Sequence, residues 1–210
     1  MSNTDVAKSL DVVYGAAGGE DVASRYDAWA DRYDAEMAIL GYRHPTICLA
    51  LLTRFVPKAS GPILDAGAGT GLLGEWTAIA GYDAVEALDI SEKMLAIARA
   101  KNIYSACHVG AMGKPLPFED DRFAAVVSAG VFTVGHVGAE GLDELVRITR
   151  PGGIVILTIK DTLWQGDLGK RVQELVDDGT WSVVEETPSY VSMPNRPDTV
   201  PSRAVALKMA

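Results

Sequence analysis

An α/β fold built on a mostly parallel sheet is predicted by three observations. Short apolar runs alternate along the chain with helical patterns, the order that βαβ units produce. The run at 123–129 is almost purely apolar, as a central strand covered on both faces must be. Ahead of it, residues 61–74 read GPILDAGAGTGLLG, a buried strand, a glycine loop and a helix start. In open parallel sheets ligands bind beyond the carboxyl ends of the strands. Asp65, Asp89, Gly110 and Gly130 close four of the apolar runs and mark where a site is expected.

The chain has 210 residues, 48% hydrophobic and 22% charged, enough for one domain with its own core. Residues 1–19 end in Gly-Ala-Ala-Gly-Gly and are expected to be a flexible arm, with a single domain over 20–210. No run of 18 apolar residues occurs, and no basic start followed by an apolar block, so neither a membrane span nor a secretory signal is expected. Cys48 and Cys107 lack metal-ligand spacing, which fits a reducing cytoplasm and predicts no metal site. Nineteen basic residues against 28 acidic ones give a net charge of −9 with no Lys/Arg cluster, a poor footprint for nucleic acid.

The elements follow in order. Val22, Tyr26, Trp29, Tyr33 and Met37 recur at helical steps from residue 20. Gly41 and Pro45 break that helix, and Pro45 suits the first turn of a second one over 46–56. Residues 20–57 thus form a helical cap ahead of the sheet. A strand at 63–65 leads through the glycine loop into a helix at 72–80, then a strand at 83–89. Ser91 is placed to N-cap a helix over 92–101, and a strand follows at 104–109. The proline-rich acidic stretch 114–121 is a loop. A helix at 138–148 ends before Pro151-Gly152-Gly153, which is expected to turn sharply into a strand at 154–159. A helix over 165–178 is stopped by Gly179, and strands begin at 181–184 and close the chain at 203–209.

Glycine is needed where φ is positive or where a ligand approaches the backbone. A turn that only joins strand to helix needs one glycine, and this loop has Gly67, Gly69 and Gly71. Two cofactor classes use such geometry. Gly69, Gly71 and Gly74 also fit GxGxxG, the dinucleotide fingerprint of NAD(P)-dependent oxidoreductases. Against that reading, Asp65 sets a fixed negative charge just before the loop. A pyrophosphate gains nothing from it, whereas a cofactor carrying an ammonium and a sulfonium does.

LDAGAGTG at 64–71, ALDIS at 87–91, LPF at 116–118 and LVRITRPGG at 145–153 occur in one order. In that order they resemble the class I S-adenosylmethionine (SAM)-dependent methyltransferases of the methyltransferase 11/25 type, over about 26–209. Residues 26–34 and 41–45 resemble a narrower branch, the Williams-Beuren-region methyltransferase-like proteins and their bacterial relatives. The resemblance implies a Rossmann-like seven-stranded sheet in the order 3-2-1-4-5-7-6. Its last pair would be an antiparallel edge, with helices on both faces and further helices at the N-terminus. It implies SAM as cofactor, S-adenosylhomocysteine (SAH) as product and a small-molecule acceptor, in a cytoplasmic monomer or homodimer. A non-catalytic SAM-binding module is the alternative within the same fold.

The resemblance also assigns residues. The glycine loop, with Asp65, Gly67, Ala68, Gly69 and Gly71, would hold the cofactor, and Asp89 would take the ribose hydroxyls. Ile90, Met94, Ala111, Met112 and Ala129 complete the expected binding set. Many relatives carry Gly-Asp-Ala after the third strand, the acid meeting the adenine amino group, but this chain has Gly110-Ala111-Met112. Adenine would then rest on main-chain groups and apolar contacts, with Ile90 and Met112 as its slot. Tyr26, Trp29 and Tyr33 either pack in the core or form the family's lid, with Tyr26 and Tyr33 toward the cofactor. His136, just past the fourth strand, is the candidate general base. His44 and His108 are expected to pack, while Trp164 and Tyr190 suit either an acceptor pocket or packing.

Overall fold

A computed structural model of the chain describes residues 19–133 and 137–210. Two helices come first, α1 (Gly19–Leu40) and α2 (His44–Phe55). Then follow β1 (Ile63–Ala66), α3 (Leu72–Ile79), β2 (Val85–Asp89), α4 (Glu92–Ala100) and β3 (Ala106–Val109). The second half holds β4 (Phe123–Phe132), α5 (Gly141–Ile148), β5 (Thr149–Lys160), α6 (Asp161–Trp164), α7 (Asp167–Asp177), β6 (Trp181–Glu186) and β7 (Ser202–Met209). The strands form one sheet in the order β3-β2-β1-β4-β5-β7-β6. β7 runs antiparallel to both β5 and β6, and the other pairs are parallel.

Side chains alternate across a strand, and here both faces are covered. Leu64, Leu88, Val126, Leu157 and Val205 point to one face, against α5 and α7 through Leu142, Leu145, Leu168 and Val172. Ile63, Val85, Val127, Ile156 and Ala206 point to the other, with Cys48, Leu51 and Leu52 of α2 and Leu73 of α3. The almost purely apolar run at 123–129 is the consequence. A third cluster joins Trp29, Met37 and Leu40 of α1 to Met193.

The Pro151-Gly152-Gly153 turn lies within β5. Phe123 pairs with Thr149 and Ala125 with Ile154, so two steps along β4 match five along β5 and the surplus residues bulge out. The helix expected over 165–178 is α7, and the short α6 ahead of it was not expected; Gly166 between them takes a non-helical conformation (φ −103°, ψ −149°). β4 continues past Ala129 to Phe132. His136 lies outside the described residues. No helix among those described is long and apolar enough to cross a membrane.

Candidate functional site

The loop after β1 is built by backbone conformations that side chains resist. Gly67, Gly69 and Gly71 have φ of 83°, 54° and 91°. The N–H groups of Gly67 and Ala68 both donate to the Leu88 carbonyl, at 2.7 and 2.9 Å, so the loop folds back over the end of β2. A Cβ on Gly67 would lie 2.1 Å from Val131 Cγ2, whereas one on Gly69 would meet nothing within 4 Å.

Gly71 and Gly74 serve a different need. A Cβ on Gly71 would lie 3.0 Å from the Tyr104 ring, and one on Gly74 would lie 2.3 Å from its Cζ. These glycines admit the ring, whose hydroxyl donates to Asp65 Oδ2 at 2.6 Å. Asp65 is 1% exposed, and its Oδ1 has no hydrogen-bond partner. Burial lifts its carboxyl to about 7, with the Tyr104 bond opposing and the Asp89 charge reinforcing the rise.

At the end of β2, Asp89 Oδ2 accepts the Gly69 N–H at 2.8 Å and Oδ1 accepts the Ser91 N–H at 2.9 Å. Burial raises its carboxyl above the usual range, and these N–H groups hold it back. One donor on each oxygen leaves lone pairs on both. Ser91 in turn N-caps α4, its hydroxyl oxygen accepting the Met94 N–H at 3.1 Å.

α1 is fastened to both segments. Asp27 Oδ1 accepts from the Ser91 hydroxyl at 2.5 Å and from the Lys93 N–H at 3.2 Å. Asp34 accepts from the Thr70 hydroxyl in the glycine loop, and from Lys101 Nζ at 2.7 Å. The aromatic residues of α1 divide their work. Trp29 is buried and donates to Glu36 Oε2 at 2.7 Å, while Tyr26 and Tyr33 line a cavity.

That cavity holds about 290 Å³. It is lined by Gly67 and Gly69, by Asp89, Ile90 and Met94, and by Ala111, Met112 and Ala129. Asp65, Ala68 and Gly71 are not on its surface. Asp65 sits beneath the loop, Ala68 packs with Ala87 and Leu95, and Gly71 N-caps α3. Of the three glycines in the dinucleotide register, only Gly69 reaches the cavity. Sequence reasoning missed Val22, Lys114, Val131, Val137 and Glu140 on the wall. These are single residues from separate segments, with no local pattern to announce them.

Beyond Ala129 the wall is backed by a second set of polar groups. The Tyr42 hydroxyl donates to the Ala129 carbonyl at 3.3 Å, and a Cβ on Gly130 would lie 2.0 Å from that hydroxyl. His44 is buried and its Nδ1 bonds the Tyr190 hydroxyl at 2.7 Å. Burial, then the nearby Lys160 charge, depresses its pKa to about 3, so the ring is neutral at pH 7. Trp164 lies under the Arg203 guanidinium, 5.4 Å from its ring centroid, and His108 bonds Glu86 at 2.8 Å; both are packing residues. Among the described residues no three metal-ligating side chains cluster.

The methyltransferase domain family matches residues 63–153. Human methyltransferase-like protein 27 is 35% identical over 154 residues, 70% of this chain and 62% of that protein. Demethylmenaquinone methyltransferase of Clavibacter sepedonicus is 35% identical over 140 residues, 65% of this chain and 56% of that protein. The chain therefore spans less than two thirds of the length of these relatives. In fold it is similar to a TehB-like SAM-dependent methyltransferase from Corynebacterium glutamicum, with a TM-score of 0.60 and 20% identity over 89% of this chain and 99% of that one. Motifs, relatives and sheet order agree: residues 63–153 match a methyltransferase domain, and the chain has the fold of the SAM-dependent methyltransferases.

Proposed function

We propose that this protein uses SAM to methylate a small-molecule acceptor. The observation that carries the reading is Asp89, which faces the cavity with each oxygen anchored by one backbone N–H and still able to accept a hydroxyl. A ribose diol offers two such hydroxyls, and charge-assisted hydrogen bonds are the stronger kind. Gly69 fits the same group, since its missing side chain leaves the adjoining wall clear. When bound, SAM supplies a methyl group already activated by its sulfonium.

The chain's own share is to bind, orient and exclude water. Asp89 and the glycine loop hold the ligand. Residues 20–57 act as the lid, α1 closing the cavity with Tyr26 and Tyr33, whose ring faces attract a cation. Asp65, beneath the loop and off the cavity, titrates at about 7 and lends negative charge only above that pH. If the acceptor is a hydroxyl or amine, His136 is the proposed base; the neutral His44 ring is too weakly basic for that role. A small acceptor suits a site roofed by a helix and a chain of net charge −9. It also suits relatives named for demethylmenaquinone.

Titration calorimetry with SAM, SAH and NADH tests the cofactor. SAM and SAH should each bind once per chain and NADH not at all; NADH binding would sink the reading. Incubation of the protein and methyl-labelled SAM with a metabolite extract then tests turnover. Label should move to a low-molecular-weight product, and label that stays on SAM favours a binding module.

A further inference from the structure

Two carboxylates lie on the described wall of the cavity, Asp89 and Glu140. Asp89 is accounted for by a ribose. Glu140 stands in the turn that enters α5, and its Oε1 accepts the Gly138 N–H at 3.0 Å. A carboxylate offers about four lone-pair positions, so this one bond fixes the group without saturating it. Its side chain crosses the loop that follows β3: a Cβ on Gly113 would lie 3.1 Å from Glu140 Cγ. Gly113 itself has φ +83°, so the loop turns tightly beneath the acid.

Apolar residues share the cavity wall with these acids. Ile90 follows Asp89 directly, and Met112 packs with Val137 and Ala139 against the sheet's core cluster. A flat base attached to a ribose on Asp89 would lie against these residues, its far edge toward Glu140. An adenine edge presents an amino donor, and a donor taken out of water without an acceptor is penalised. Position 111, where an acid could have met it, is alanine.

We propose that Glu140 accepts the exocyclic amino group of the cofactor's adenine and so selects adenine over a purine that lacks that group. The proposal rests on the cofactor reading given above. Glu140 comes from the segment between β4 and α5, not from the β3 loop, and its Cγ lies against Gly113 of that loop.

The test compares SAH with its purine-riboside analogue, in which hydrogen replaces the base amino group and N1 stays unprotonated. Dissociation constants for both are measured by calorimetry on the full chain, together with the thermal transition of each protein. Wild type should prefer SAH by about tenfold or more, the scale of a hydrogen bond to a charged group. Glu140→Gln, whose amide oxygen accepts a weaker, uncharged bond, should narrow that preference. Glu140→Ala should weaken SAH, leave the analogue nearly unchanged and bring the two affinities close together. A role confined to shaping the turn would lower both affinities equally, and an unchanged ratio in both variants overturns the proposal. So does a wild type without preference. Wild type that binds neither ligand overturns the cofactor reading instead. If Glu140→Ala fails to fold, the ratio in Glu140→Gln decides.

Discussion

The Asp27 carboxylate accepts a 2.5 Å hydrogen bond from the Ser91 hydroxyl, while the Ser91 N–H is held at 2.9 Å by Asp89. One serine thus joins the N-terminal helix to the acid at the end of β2. Asp34 makes the matching link to Thr70 in the glycine loop. Replacing both acids, Asp27→Ala with Asp34→Ala, should free α1 from the site and keep it on the fold, since Trp29, Met37 and Leu40 stay buried. Bonds to charged groups contribute about 1.5–3 kcal/mol each. Stopped-flow measurements should show SAH leaving at least about tenfold faster, with the thermal transition retained. An unchanged dissociation rate means that α1 is scaffold and no lid.

Asp89→Ala removes the ribose acceptor and also the partner of the Gly69 N–H. SAM affinity should fall by roughly 1.5–3 kcal/mol. Methionine, which lacks the ribose, should show no change if it binds at all. Calorimetry on the folded variant checks both, and equal SAM affinity in wild type and variant places the ribose elsewhere.

Two glycines should fail in different ways. At Gly69 (φ +54°) a side chain meets open space beside the cavity, so Gly69→Val should abolish SAM binding. The left-handed backbone adds about 1–2 kcal/mol of destabilisation. At Gly130 the new Cβ would strike the Tyr42 hydroxyl at 2.0 Å, so Gly130→Ala should lower the thermal transition first. Ligand titration beside thermal denaturation separates the two cases.

Asp65 predicts an unusual pH profile for the ligand-free protein. Its carboxyl titrates at about 7 when folded against 3.8 for a free aspartate side chain, so the folded chain holds that proton more tightly. Between those values the folded state binds more protons than the unfolded one, and stability falls as pH rises, levelling off above 7. At 1.36 kcal/mol per unit the ceiling is about 4 kcal/mol. Asp89 is raised in the same direction and contributes slope of the same sign. The buried neutral His44 adds slope of the opposite sign below 6.5, so the variant is read against wild type: in urea unfolding from pH 4 to pH 8, Asp65→Asn should lose less stability, or gain more, as pH rises. Identical profiles would mean that Asp65 is already ionised in the folded protein.

Much of this site was legible because strand ends are punctuated in the sequence. Asp65, Asp89 and Gly130 close apolar runs, and parallel strands bring their carboxyl ends to one rim. The glycine spacing could be read only in part. Gly67 and Gly69 face the cavity, but Gly71 and Gly74 make room for Tyr104, a residue 30 positions beyond Gly74 whose role is visible only in three dimensions. In α1 the aromatic residues drew attention, yet Asp27 and Asp34 between them make the links to the sheet. Acids on a helix read as solvated until their partners are known. Pro151-Gly152-Gly153 has the composition of a turn, but its flanking residues both pair with β4, so the chain bulges instead of reversing.

The two carboxylate links of α1 have a reciprocal consequence. If the closed helix tightens the binding of a ligand, the ligand must favour the closed helix by the same factor, because the coupling free energy is shared by both equilibria. SAH should therefore protect the amides of α1 from hydrogen exchange beyond any effect on the far face of the sheet, around α5 and α7. Thr70 and Ser91 are the two points through which that protection passes, one in each segment that cradles the cavity.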